Sequence, residues 1–172
     1  MEFTYSHARP SLKVLITFFL FFVGVSYLFG LVNLYNNVGF SYTGVVTHYR
    51  GDVKEMTVPP EFAFAKLIQE HHVHLFSLSM LFFMICLLFT FTNLPEKVKA
   101  VFVAAPFLGM FMDFASLWLT VFSSPLFAWL SIAFGAFMAL SFFMLIGRPL
   151  YEMWVLPIWQ HKWHNSIPWY LS

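Results

Sequence analysis

The sequence predicts an all-α membrane protein: a four-transmembrane-helix bundle with cytoplasmic termini, an ordered outer loop and an interfacial C-terminal tail. Three observations carry that prediction. Of 172 residues, 60% are hydrophobic and only 10% charged, whereas a soluble domain carries about 25% charged residues, so this chain has too few to cover a water-exposed surface. The apolar residues come in unbroken blocks rather than in alternation, which favours membrane helices over a barrel. Between the blocks stand proline, glycine and charge signals such as Pro59-Pro60, Asn93-Leu94-Pro95 and Ser123-Ser124-Pro125.

Met1 to Lys13 is a short polar leader containing Arg9, Pro10 and Lys13. The apolar run that follows exceeds the roughly 7–15 residues of a signal-peptide core, and no small-x-small site closes it. It is therefore expected to stay as a first helix, about 14–34. Ser26, Gly30, Asn33 and Asn37 recur at steps of four, three and four, so they share one helix face. That face is expected to look into the bundle, because small residues let membrane helices approach closely.

Residues 35–70 form the one sizeable loop, with Gly39, Gly44, Gly51 and most of the charge between Arg50 and Lys66. Phe40 to Tyr49 is rich in Val, Thr and aromatic residues and reads as an extended segment or short hairpin. Pro59-Pro60-Glu61 is a helix-start signal. An amphipathic approach helix is expected from about Glu61, running through the histidines into the second span, 71–92.

The third span, 100–122, carries Pro106 and Asp113, and the fourth, 126–147, carries Ala128, Ser131, Gly135 and Ala139 at helical steps, a small-residue packing stripe. Arg148-Pro149 closes the fourth span. The remainder, 148–172, with Trp154, Trp159, Trp163 and Trp169, is expected to be a cytoplasmic tail anchored at the interface. The whole of 1–172 makes one membrane domain.

Lysine and arginine set the orientation. Arg9, Lys13, Lys97, Lys99, Arg148 and Lys162 fall on the side of the termini, against Arg50, Lys54 and Lys66 in the long loop. The positive-inside rule then places the termini in the cytoplasm and the loop outside. The location expected is a bacterial inner membrane, crossed several times, with the histidine cluster periplasmic. A net charge of +1 argues against nucleic acid, which needs a basic face. Cys86, the single cysteine, has no partner for a disulfide or thiolate site.

The chemistry-bearing stretch is Glu70-His71-His72-Val73-His74, because imidazoles at the mouth of a membrane helix must find partners. On a wheel of 100° per residue, His71 and His74 share a face while His72 points elsewhere. Asp113 lies about nine residues, roughly 13 Å, inside its helix, where a carboxylate is costly unless paired or protonated. Its expected partner is a histidine N–H, behind a metal, or a serine or Asn33 across the bundle. His48 in the loop is a further ligand candidate, and Arg50 a partner for haem propionates. The candidate centres are thus a b-type haem held by His48, His72 and His74 with Arg50, or a copper, iron or zinc ion at His72, His74, His48 and Asp113. The third possibility is no cofactor at all. His161 and His164 read as interfacial side chains.

Several short motifs occur together: Thr43-Gly44 with His48-Tyr49-Arg50-Gly51, then His72-x-His74-Leu75-Phe76, Asp113 with Trp118, and Leu150-Tyr151-Glu152-Met153-Trp154. In these the chain resembles a group of small four-helix bacterial inner-membrane proteins. The resemblance implies the four-span topology, and it favours His48, His72, His74 and Asp113 over His71.

The function expected is a redox-associated membrane subunit passing electrons between the quinone pool or a partner complex and a periplasmic carrier. The alternative is a cofactor-free accessory subunit of a larger respiratory or transport complex. Expected neighbours are lipid and other membrane subunits or further copies of this chain. No nucleophile–base pair, phosphate loop or dehydrogenase fingerprint points to a hydrolase or nucleotide enzyme.

Overall fold

A computed structural model describes Tyr5 and residues 8–158. Within them the chain folds as an all-helical four-span bundle. The first helix, α1, runs Pro10–Asn37. It outruns the apolar block at both ends because Pro10 pre-sets the first turn and nothing breaks the helix before Gly39. There φ is +78°, a conformation that glycine adopts at little cost.

The next element corrects the sequence reading. Phe40 to Tyr49 is neither extended nor a hairpin: Tyr42–Arg50 is a helix, α2. Ser41 caps it by accepting the Gly44 N–H at 3.1 Å, which satisfies one orphan donor of the first turn. Val45, Val46 and Tyr49 are buried, at the spacing of a helical face, and they pack with Ala63, Leu67, Leu117 and Val121. The β-branched composition was a weaker signal than that period, since strand propensity largely reflects packing context. Gly44 is needed here, because a Cβ on it would run into the Val38 carbonyl oxygen. Gly51 ends the helix at φ +85°.

The approach helix and the second span are one continuous helix, α3, Pro60–Thr90. Its first turns pack under α2 through Ala63 and Leu67. Its last turns supply Phe82, Ile85, Cys86 and Phe89 to the core at the opposite end of the bundle. The third span, α4, is Glu96–Phe122, with Pro106, Gly109, Ser116 and Thr120 buried along one side. Gly109 is the tight point: a Cβ there would lie 3.3 Å from Met138.

A 3-10 turn, Pro125–Phe127, leads into α5, Ala128–Leu150. Here too the expected boundary moves. Arg148-Pro149 does not close the helix, which continues through a π-helical turn, Tyr151–Val155. Pro149 removes one N–H from the ladder and crowds the carbonyl four residues back, yet the helical path runs on, and the next turn is held by an ion pair from Arg148 Nε to Glu152 Oε1 at 2.8 Å. Glu152, 2% exposed, also accepts the Asn93 N–H at 3.0 and 2.8 Å. Tyr5 donates to the Leu88 carbonyl nearby. Trp159, Trp163, Trp169, His161 and His164 lie outside the described residues.

The helices are not packed evenly. α4 and α5 form the most intimate pair, with α3 against both, while α1 leans mainly on α5. Ile16 and Leu20 are the buried residues of α1. Farther along, Tyr27 stacks on Phe142 at 3.9 Å between ring centres, and Val38 packs against the core under α2. Between those two supports α1 stands off the bundle.

Candidate functional site

The gap left by α1 is a cavity of about 1330 Å³, walled by all five helices. That exceeds the roughly 300–1,000 Å³ of most small-molecule pockets. α1 contributes the face holding Ser26, Gly30, Asn33 and Asn37, so the small-residue face looks inward as expected but not onto a neighbouring helix. A Cβ on Gly30 would meet nothing within 4 Å, and neither would one on Gly135 across the gap. These glycines leave room rather than bring backbones together. The α5 stripe divides accordingly: Ala128 is buried away from the gap, whereas Ser131, Gly135 and Ala139 line the cavity.

The polar groups gather where α2 crosses α3. On α3, Glu70, His71 and His74 fall on one side at steps of one and three, and all three line the cavity. On α2, His48 and Tyr49 join them. The Tyr49 hydroxyl donates to Glu70 Oε2 at 2.8 Å, and His48 Nε2 lies 3.9 Å from Glu70 Oε1. Burial, and then the Glu70 carboxylate, push the Tyr49 hydroxyl well above the ordinary phenol range. Lys66 donates from Nζ to the His48 carbonyl at 3.0 Å and sits 5.2 Å from the Tyr49 ring centre, which orients both residues.

The His71 ring meets Phe114 edge-on at 4.2 Å and stacks near Trp118 at 6.1 Å. Deeper in the wall, Asp113 accepts the Ser131 hydroxyl at 2.5 Å. Of the partners weighed for this carboxylate, a serine across the bundle is the one the fold supplies. Asn37 Nδ2 donates to Asn33 Oδ1 at 2.9 Å, so α1 faces the cavity with a paired amide.

The residues singled out from sequence therefore part company. His48, His74 and Asp113 line one cavity, contributed by α2, α3 and α4. His72 is exposed and does not line it. Arg50 is engaged elsewhere: its Nη1 donates to the Thr120 and Val121 carbonyls, both at 3.0 Å, where α4 ends. Among the described residues no group of three or more His, Cys, Asp or Glu side chains is arranged to hold a metal ion. His71, which the resemblance disfavours, is in the wall, as its shared wheel face with His74 requires. Tyr49 and Ser131 were missed as site residues. The signal for Tyr49 was its place four residues after Val45 on a helix that was not recognised.

Chemically, the cavity offers imidazoles, which donate or accept according to tautomer, and carboxylates, which accept. The rest of its wall is mostly apolar, with residues such as Phe19, Phe22, Leu31, Leu78 and Met138, and also carries Ser26, Asn33, Asn37 and Ser131. A polar cluster at one end of a long apolar trough suits an amphiphile. A family model described as a transmembrane helical domain, Aq_1264_TM, matches residues 39–158. No curated protein and no solved structure matches the chain.

Proposed function

This chain belongs to the Aq_1264_TM transmembrane helical domain family, and from that premise we propose that it is a membrane-embedded binding subunit. It holds a lipid-soluble molecule in the cavity between α1 and the other helices. One observation carries this reading: the 1330 Å³ cavity gathers His48, Tyr49, Glu70 and His74 where α2 meets α3, while most of the remaining wall is apolar, with Ser26, Asn33, Asn37, Asp113 and Ser131 as its further polar side chains. The distribution of lysine and arginine supports a periplasmic position for the α2 end, in a bacterial inner membrane. Bilayer lipid, further copies of the chain or a larger complex would cover the exposed apolar surface.

A histidine-ligated redox centre is the second reading, and it rests on His48 and His74 facing one cavity from different helices, as ligands in helical bundles do. The space admits a haem, but the charges do not suit its propionates. Among the described residues no Lys or Arg lines the cavity, and Arg50 is bonded to the end of α4.

Native mass spectrometry of protein taken from its own membrane tests the first reading. The expected result is a bound small molecule, lost in Gly135→Trp, which fills the cavity. A bare protein whose spectrum Gly135→Trp leaves unchanged would sink it and favour a cofactor-free accessory subunit. An absorption spectrum before and after dithionite, with metal analysis, tests the second reading. A reduced α-band or stoichiometric metal lost in His48→Ala and His74→Ala would carry it.

A further inference from the structure

We propose that the cavity selects an amphiphile with an uncharged, hydrogen-bonding ring as its head, the class of prenyl quinones and quinols, and rejects phosphate-headed lipids. The proposal rests on the binding reading above and names its ligand. Charge is the first argument. Glu70 and Asp113 stand in the wall with no Lys or Arg among the lining residues. Neither of the two cations nearest in sequence to the polar cluster lines the cavity: Lys66 lies behind the wall on the His48 carbonyl, and Arg50 is bonded to the end of α4. An anionic phosphate would meet two carboxylates in a medium that screens poorly.

The same carboxylates are each hydrogen-bonded within the wall already, which lessens what an ammonium would gain there. Glu70 already accepts from Tyr49, and Asp113 already accepts from Ser131. What remains on offer is hydrogen bonding. His74 is exposed into the cavity, and an imidazole serves a carbonyl as donor and a hydroxyl as acceptor. A quinone presents the first and a quinol the second, so the site matches either state of such a ring.

Shape is the second argument. Gly30 and Gly135 leave the trough wide where side chains would narrow it, which gives a flat ring passage. The lining residues of α1 extend from Leu15 to Asn37. At 1.5 Å per residue that is about 33 Å, the reach of a long isoprenoid tail across a bilayer core of about 30 Å. A short ligand would leave most of this wall bare.

The test uses the full chain in nanodiscs of phosphatidylcholine, titrated with decylubiquinone and followed by quenching of protein fluorescence. The expected result is saturable quenching whose apparent Kd rises at least tenfold in Gly135→Trp and in Gly30→Trp. Dioleoyl phosphatidic acid in tenfold excess should not displace the quinone, and a long-chain alkylamine should not either. The double variant Glu70→Gln, Asp113→Asn should begin to admit phosphatidic acid. Displacement of quinone by phosphatidic acid or by the amine in the unaltered protein would overturn the head-group proposal while leaving the cavity reading intact. Quenching that never saturates and ignores both tryptophan variants would overturn both.

Discussion

Tyr49 donates its hydroxyl to Glu70 at 2.8 Å across 21 positions of chain, and this bond fastens the short helix α2 to the cavity wall. Glu70 is about one-third exposed, so the bond contributes less than a fully buried charged one, about 1 kcal/mol. Tyr49→Phe should lower Tm by about 2–4 °C in a detergent melt. An unchanged Tm would mean that α2 is held by its apolar face alone.

The same residue gives a pH dependence with a definite sign. Burial and the Glu70 carboxylate raise the folded-state pKa of Tyr49 above the unfolded value of about 10. Its stabilising contribution is complete below about pH 10 and is lost as pH rises toward the folded value. The Tm of the unaltered protein should fall more steeply above pH 10 than that of Tyr49→Phe. Between pH 7 and 9 the two should differ by a constant offset. Parallel curves throughout would contradict the assignment.

At the other end of the bundle, Glu152 joins three segments. It pairs with Arg148 and accepts the Asn93 N–H where α3 turns toward α4. Glu152→Ala strands both partners. Arg148 is 29% exposed and can reach water, so the cost should be about 2 kcal/mol rather than the 3–5 kcal/mol of a fully buried pair. Differential scanning fluorimetry should show a Tm lowered by about 4–8 °C. Glu152→Gln keeps one acceptor and should fall between.

The glycines divide into two kinds, and alanine substitution separates them. Gly44→Ala drives a Cβ into the Val38 carbonyl, which cannot yield without moving the α1–α2 junction. A loss of about 1–2 kcal/mol is expected. Gly30→Ala and Gly135→Ala meet open space inside helices, where alanine is favoured over glycine by about 0.5–1 kcal/mol. They should leave Tm unchanged or raise it slightly. A destabilised Gly30→Ala would show that α1 lies closer to the bundle than this fold has it.

Much of the architecture was legible because membrane spans are written in length and apolarity. The face shared by His71 and His74 followed from helical geometry alone. Where that face would point did not follow, since direction depends on which helices surround it. The choice among a histidine, a serine and Asn33 for Asp113 was closed to sequence for the same reason: it is a question of how α4 is set against its neighbours. The most instructive difference lies at Ser26, Gly30, Asn33 and Asn37. Small residues permit close approach but do not compel it, so the same pattern describes a tight seam or a wide trough. α2 was misread because its Val, Thr and aromatic content outweighed Ser41 and the Val45–Tyr49 spacing.

The matched family domain, residues 39–158, stops short of α1. His48, Glu70, His71, His74, Asp113 and Ser131 all belong to the matched part, whereas the long wall opposite them is α1. The cavity is therefore a composite: the histidines and carboxylates are carried by the family's domain, and the long, mostly apolar wall opposite is supplied by a helix with few buried anchors. A change of ligand length or bulk could be accommodated by altering α1 alone, with the imidazoles and carboxylates left untouched. In engineering terms the first helix is an exchangeable jaw set against a fixed one.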